Sequence, residues 1–155
     1  MQYYIKIKLD TYREYIQVAK KKTNIVLIGE GMDTIIIAGV LGDDCTGQDI
    51  TFRNDDGPIK HQAVTLRVEA DSASFYRCHL DGYQVQKNDR QFYRDCEIYG
   101  TIDFMFGDAP ILFQNCLIEV RVPLLKQYNT ITAQHRELEN STTGIVLQNC
   151  TIKAA

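Results

Sequence analysis

Apolar and polar residues alternate along short stretches of this chain, and glycine closes many of the apolar runs. In residues 3–9, Tyr3, Ile5, Ile7 and Leu9 fall on one face and Lys6 and Lys8 on the other, the two-residue period of a strand. Residues 24–28 and 34–38 are runs rich in Ile and Val, bounded by Gly29-Glu30-Gly31 and by Gly39, and read as buried strands. Residues 14–22 fit either a helical turn or a further strand.

A weak internal repeat says more than any single run. Phe75-Tyr76-Arg77-Cys78-His79-Leu80 matches Phe92-Tyr93-Arg94-Asp95-Cys96-Glu97-Ile98. Both match Leu112-Phe113-Gln114-Asn115-Cys116-Leu117-Ile118 and Val146-Leu147-Gln148-Asn149-Cys150-Thr151-Ile152, and Ile50-Thr51-Phe52-Arg53-Asn54 fits part of the pattern. Repetition on this scale suggests stacked coils, none able to bury its apolar side alone. A parallel β-helix is the natural form, with the recurring cysteines stacked inside as small apolar residues. A β-sandwich whose strands are alike by chance is the alternative. The longest interval, between Cys116 and Cys150, predicts an excursion, and part of residues 121–144 reads as a projecting loop.

Composition narrows the picture. The chain has 155 residues, the size of one domain, with 45% hydrophobic and 24% charged residues, a globular balance. A net charge of −3 argues against a general nucleic-acid binder. No apolar run approaches bilayer length, so no membrane association is expected. The sequence opens directly in a strand-like segment without a signal peptide, and we expect sequence preceding it rather than an intracellular chain. Five cysteines without C-x-x-C spacing and three scattered histidines make a structural metal site a poor reading; buried thiols and one or two disulfides both remain open. Asn140-Ser141-Thr142 and Asn149-Cys150-Thr151 fit the glycosylation sequon. Lys20-Lys21-Lys22 reads as a solvated rim.

Nucleotide-loop, serine-elbow and zinc-protease signatures are absent. The segment Gly100-Thr101-Ile102-Asp103-Phe104-Met105-Phe106-Gly107 stands out. Strict alternation places Thr101, Asp103 and Met105 on one face and Ile102, Phe104 and Phe106 on the other. A carboxylate among apolar residues is costly without donors around it, so Asp103 is either an outward-facing surface residue or a catalytic carboxylate. Gln62 and Gln84 are neutral amide donors of the kind that stabilise an oxyanion, although either alone would pass as a turn residue.

These segments together resemble the plant pectin methylesterases. The resemblance is carried by Lys60-His61-Gln62-Ala63-Val64, Ser74-Phe75-Tyr76-Arg77-Cys78, Tyr83-Gln84, Arg90-Gln91-Phe92-Tyr93, the Gly100 to Gly107 string and Ile131-Thr132-Ala133-Gln134, in order along nearly the whole chain. It implies an all-β, right-handed parallel β-helix, one partial domain over residues 1–155, incomplete at its C-terminal end. It also implies an extracellular, cell-wall hydrolase that removes methyl esters from homogalacturonan, needing no cofactor. By the resemblance Asp103 is the nucleophile, Gln62 and Gln84 support the tetrahedral intermediate, and Phe106 lines the sugar groove. Pectin is the implied substrate, a proteinaceous pectinesterase inhibitor a further partner, and the chain is read as a monomer. Cys116 and Cys150 match positions that plant members join in a disulfide.

The pattern also breaks. The family follows Tyr-Gln with an aspartate that moves the proton; here Val85 stands there, and the loop from Val85 to Asp89 is short. Loss of general acid catalysis typically costs ~10²–10⁴-fold. The family's downstream Arg and Trp motif is not in this sequence, and the stretch between Gly39 and Gly47 is shorter than the family's. Impaired catalysis is therefore expected, and a non-catalytic module that binds pectin or the inhibitor is the alternative.

Overall fold

The computed structural model describes all residues except 14, 15, 20, 21, 38, 42, 43, 55–63, 69, 70, 83, 88, 89, 135 and 137; for 36, 37, 39–41, 64, 65, 67, 68 and 84–87 it describes the backbone alone. Gln62, Asp89, Lys20 and Lys21 therefore lie outside the described residues.

The backbone winds in coils, each giving one short strand to each of three sheets. The first coil holds β1 (Tyr3–Lys6), β2 (Thr11–Tyr12) and β3 (Ile16–Gln17), and the second β4 (Ile25–Ile28), β5 (Ile35–Ile37) and β6 (Gly39–Leu41). The third holds β7 (Thr46–Gln48), β8 (Thr51–Arg53) and β9 (Val64–Val68), and the fourth β10 (Ala73–Tyr76), β11 (His79–Asp81) and β12 (Gln84–Lys87). Then come β13 (Gln91–Arg94), β14 (Glu97–Gly100) and β15 (Ile102–Gly107), then β16 (Pro110–Gln114), β17 (Leu117–Val120) and β18 (Thr130–Gln134), and finally β19 (Gly144–Gln148) and β20 (Thr151–Ala154). Sheet 1 runs β1-β4-β7-β10-β13-β16-β19, sheet 2 β2-β5-β8-β11-β14-β17-β20, and sheet 3 β18-β15-β12-β9-β6-β3. Every paired strand is three elements from its partner and parallel to it, as successive turns of a solenoid require. The fold is a right-handed parallel β-helix. The ambiguous residues 14–22 contain the strand β3, and the excursion in residues 121–144 contains β18, which rejoins sheet 3.

The repeat has a simple physical origin. Between sheets 1 and 2 the chain bends at one residue with positive φ: Asp49 (55°), Arg77 (47°), Asp95 (52°), Asn115 (55°) and Asn149 (51°). Asp and Asn tolerate this left-handed conformation better than other side chains. Arg77 is the odd member, and its guanidinium is held by both carboxylate oxygens of Asp49, one coil earlier, at 2.6 Å. Asn149 donates its amide to Asn115 Oδ1 at 2.8 Å, so this sequon asparagine is part of a side-chain ladder.

The next residue in each coil turns inward. Ile50, Cys78, Cys96 and Cys116 are buried, and Cys150 half-buried, in a column along the axis. Beside it Phe75, Tyr93 and Phe113 stack at centroid spacings of 4.8 Å, with Phe52 edge-on to Phe75 at 6.1 Å. The 4.8 Å rise equals the strand spacing of a sheet, so equivalent aromatics stack without adjustment. Cys116 and Cys150 are not joined to each other, which corrects the disulfide that the resemblance implied. Their sulfurs face main-chain carbonyls instead: Cys116 Sγ lies 3.4 Å from Gln114 O, and Cys150 Sγ 3.5 Å from both Gln148 O and Phe113 O.

Candidate active site

Sheet 3 sets the strand that carries Asp103 and Phe106 beside the strand that starts at Gln84. β9, which starts just after Gln62, lies beside β12, which starts at Gln84; β12 lies beside β15, which carries Asp103 and Phe106. The β12–β15 register pairs Val85 with Met105 and Gln86 with Phe106. The backbone of Gln84 is thus one position upstream of that pairing, on the strand next to Asp103. Its side chain, like all of Gln62, is outside what is described.

Two irregularities interrupt this part of the sheet. Between β9 and β12 the register jumps from Gln84↔Val64 to Val85↔Leu66, leaving an extra residue on β9. Between β15 and β18 it jumps from Ile102↔Thr130 to Met105↔Thr132, leaving Asp103 and Phe104 opposite the single Ile131. The second is a bulge, and Asp103 within it has φ 47°. A left-handed residue within a strand, rather than at a bend, persists where surrounding contacts enforce it.

The bulge overturns the strict alternation expected of residues 101–106. Phe104 and Met105 are both fully buried, whereas Asp103 and Phe106 are half-buried, so Asp103 and Met105 do not share a face. The extra residue turns two successive apolar side chains into the core and leaves the carboxylate on the outer side. Gly100 makes room for this turn, because Phe104 occupies the space where any β-carbon at 100 would sit.

The contacts that hold Asp103 come from β18. Its N–H donates to Thr130 Oγ1 at 2.9 Å, and the Thr130 hydroxyl donates in turn to Asp103 Oδ1. Asn129, the residue before, donates its amide to Thr101 O at 2.8 Å and to Arg121 O at 2.9 Å. Arg121 is itself anchored: its N–H donates to Gly100 O at 2.8 Å, its guanidinium lies over the Tyr99 ring, and it pairs with Asp81. Sequence reasoning missed Thr130 and Asn129. Their only signal was two polar residues leading into Ile131-Thr132-Ala133-Gln134.

On the adjoining outer face of sheet 2, His79 stacks against Tyr99 with centroids 4.6 Å apart. Burial pushes the His79 imidazole below its ordinary pKa, against the opposing pull of Asp81 and Glu97. Burial, reinforced by Glu97, pushes the Tyr99 phenol up to about 12. Among the described residues no group of three or more His, Cys, Asp or Glu side chains is placed to hold a metal ion. The arrangement offers a half-buried, hydrogen-bonded carboxylate on a sheet face, a group able to act as a nucleophile or to exchange a proton.

Known proteins resemble this chain in sequence and in fold. The pectinesterase family model matches residues 1–155. A probable pectinesterase/pectinesterase inhibitor of Arabidopsis thaliana is 47% identical over 164 aligned residues, covering 93% of this chain and 26% of that protein. A pectinesterase/pectinesterase inhibitor of Prunus persica is 46% identical, covering 99% of this chain and 33% of that one. Among solved structures, carrot pectin methylesterase superposes over 100% of this chain and 55% of its own, with a TM-score of 0.91 and 40% identity. A pectin methylesterase in complex with a hexasaccharide superposes with a TM-score of 0.86 at 27% identity, over 99% of this chain and 58% of its own. The chain thus spans a third or less of these curated relatives and somewhat over half of the solved enzymes. With the family model matched from end to end and the fold shared with the carrot enzyme, this chain belongs to the pectinesterase family.

Proposed function

We propose that this chain carries the nucleophile of a pectin methylester hydrolase acting on cell-wall homogalacturonan outside the cell. The single observation that supports the reading best is Asp103 itself: a carboxylate in a strained bulge, oriented by a hydrogen bond and left on the outer face of sheet 3. Asp49 and Asp95 are also left-handed, but they sit at the bends between sheets 1 and 2, whereas Asp103 lies inside a strand, at a bulge.

In this reading Asp103 attacks the methyl ester carbonyl, Gln62 and Gln84 donate to the oxyanion, and Phe106 packs against a sugar ring. The register that sets β9, β12 and β15 side by side supports grouping these residues. Val85 has no proton to give, so departing methoxide takes one from water, and turnover is slow. The solved relative bound to a hexasaccharide supports an oligosaccharide ligand. The curated relatives' names join pectinesterase to pectinesterase inhibitor, which supports an inhibitor as a partner. No described helix is long and apolar enough to cross a membrane. The domain reading is one pectinesterase-like unit over residues 1–155.

Methanol release from methylesterified pectin tests the reading. Release above a buffer blank that Asp103→Ala abolishes supports it. Binding to oligogalacturonides without methanol release supports a binding module instead.

A further inference from the structure

We propose that Thr130 is a positioning residue for Asp103, and that its hydroxyl selects Oδ2 as the attacking oxygen. The proposal rests on the reading of Asp103 as nucleophile.

The Thr130 hydroxyl makes two bonds to one residue. It accepts the Asp103 N–H at 2.9 Å and donates to Oδ1 of the same side chain. Main chain and side chain of Asp103 are thereby tied to a single oxygen on the neighbouring strand. Without it, the side chain would sample its staggered rotamers from an already strained backbone. With it, one orientation is kept. Thr130 is itself held in place, because Asn129 is pinned to the carbonyls of Thr101 and Arg121. The loop between β17 and β18 therefore ends at a fixed point beside the bulge.

The two carboxylate oxygens are not equivalent. Oδ1 already accepts a charge-assisted hydrogen bond, whereas Oδ2 has no partner among the described residues. Attack through Oδ1 would weaken the bond that orients the group; attack through Oδ2 leaves it intact. In the first step an Oδ2 lone pair forms the bond to the ester carbonyl carbon, and the carbonyl π pair moves onto its oxygen. When that pair returns, the bond to the methoxy oxygen breaks, and methoxide takes a proton from water. A mixed anhydride and hydroxide remain. Hydroxide adds to the substrate's carbonyl carbon and expels the Asp103 carboxylate, leaving the galacturonate carboxylate and one proton released to solvent.

The test compares Thr130→Val, of nearly the same shape, with Thr130→Ser, which keeps the hydroxyl. Two readouts are taken on the full chain: methanol release against concentration of methylated pectin, and amide hydrogen exchange at Asp103 by NMR. Misplacement of a reacting group by about 1 Å costs up to ~10²-fold. Thr130→Val should lose about tenfold to 10²-fold in kcat with KM nearly unchanged. Its Asp103 amide should lose exchange protection, and Thr130→Ser should keep both properties. Wild-type kcat and exchange in Thr130→Val would overturn the proposal, as would a Ser variant no better than Val. A wild-type chain that releases no methanol would overturn the nucleophile reading and the choice of oxygen with it. The exchange readout would then still decide whether Thr130 holds Asp103.

Discussion

Gly100 and Phe104 occupy one space: a β-carbon on Gly100 would lie 2.1 Å from Phe104 Cγ and 2.4 Å from its Cβ. Phe104 is fully buried and sits in the same bulge as Asp103, so the glycine is what lets the chain turn the ring inward and the carboxylate outward. Gly100→Ala should therefore destabilise the fold by roughly 1–3 kcal/mol, the usual cost of overpacking a core. Thermal unfolding followed by circular dichroism should show a lowered Tm. An unchanged Tm would mean that the bulge does not depend on this contact.

His79 gives stability a dependence on pH. Burial holds its imidazole below the ordinary pKa, and Nε2 is buried without a hydrogen-bond partner among the described residues. The unfolded chain takes up this proton near pH 6.5, whereas the folded chain resists it. The stabilisation is therefore complete above about pH 6.5 and is lost as pH falls through that value toward the lower folded pKa. His79→Gln should flatten the decline in Tm between about pH 7 and 5. A decline equally steep in the variant would assign it to other groups.

The column of thiols should be inert in the folded state. Contact with Cys96, reinforced by burial, pushes the Cys116 thiol far above its ordinary pKa, and burial pushes Cys150 up as well. Since thiolate is the reactive form, alkylation by iodoacetamide at mild alkaline pH should be slow until the chain unfolds. Cys150, the one half-buried member, should be labelled first, and Cys45, Cys78, Cys96 and Cys116 together on denaturation. Peptide mapping after timed quenching reads the order; rapid native labelling of Cys96 would contradict the stacked column.

Val85 is the position where the family resemblance places a proton-transferring aspartate. Val85→Asp should raise the rate of methanol release, by up to ~10²–10⁴-fold if the new carboxyl reaches the leaving group. Steady-state assays across pH should also acquire a titration that the parent chain lacks. No gain in rate would show that proton transfer is not what slows this chain.

The solenoid was legible in sequence because each coil repeats the same demands. The bend between sheets 1 and 2 needs a residue that tolerates positive φ, and the next position must fit inside, hence Asp95-Cys96, Asn115-Cys116 and Asn149-Cys150. Asp103 was legible as a polar residue among apolar ones. The bulge that presents it was not, because an extra residue shows only against the partner strand, and β18 arrives after a long loop. For the same reason strict alternation misplaced Met105, and Thr130 drew no notice. The expectation of a Cys116–Cys150 bridge came from kinship alone, whereas the stacked geometry leaves each sulfur facing carbonyls.

The most direct measurement is methanol release from highly methylated pectin by the full chain, beside Asp103→Ala and Asp103→Asn. The account predicts slow release above a buffer blank in the parent chain and none in either variant. Release that persists when Asp103 is replaced, or no release from the parent chain, would contradict it.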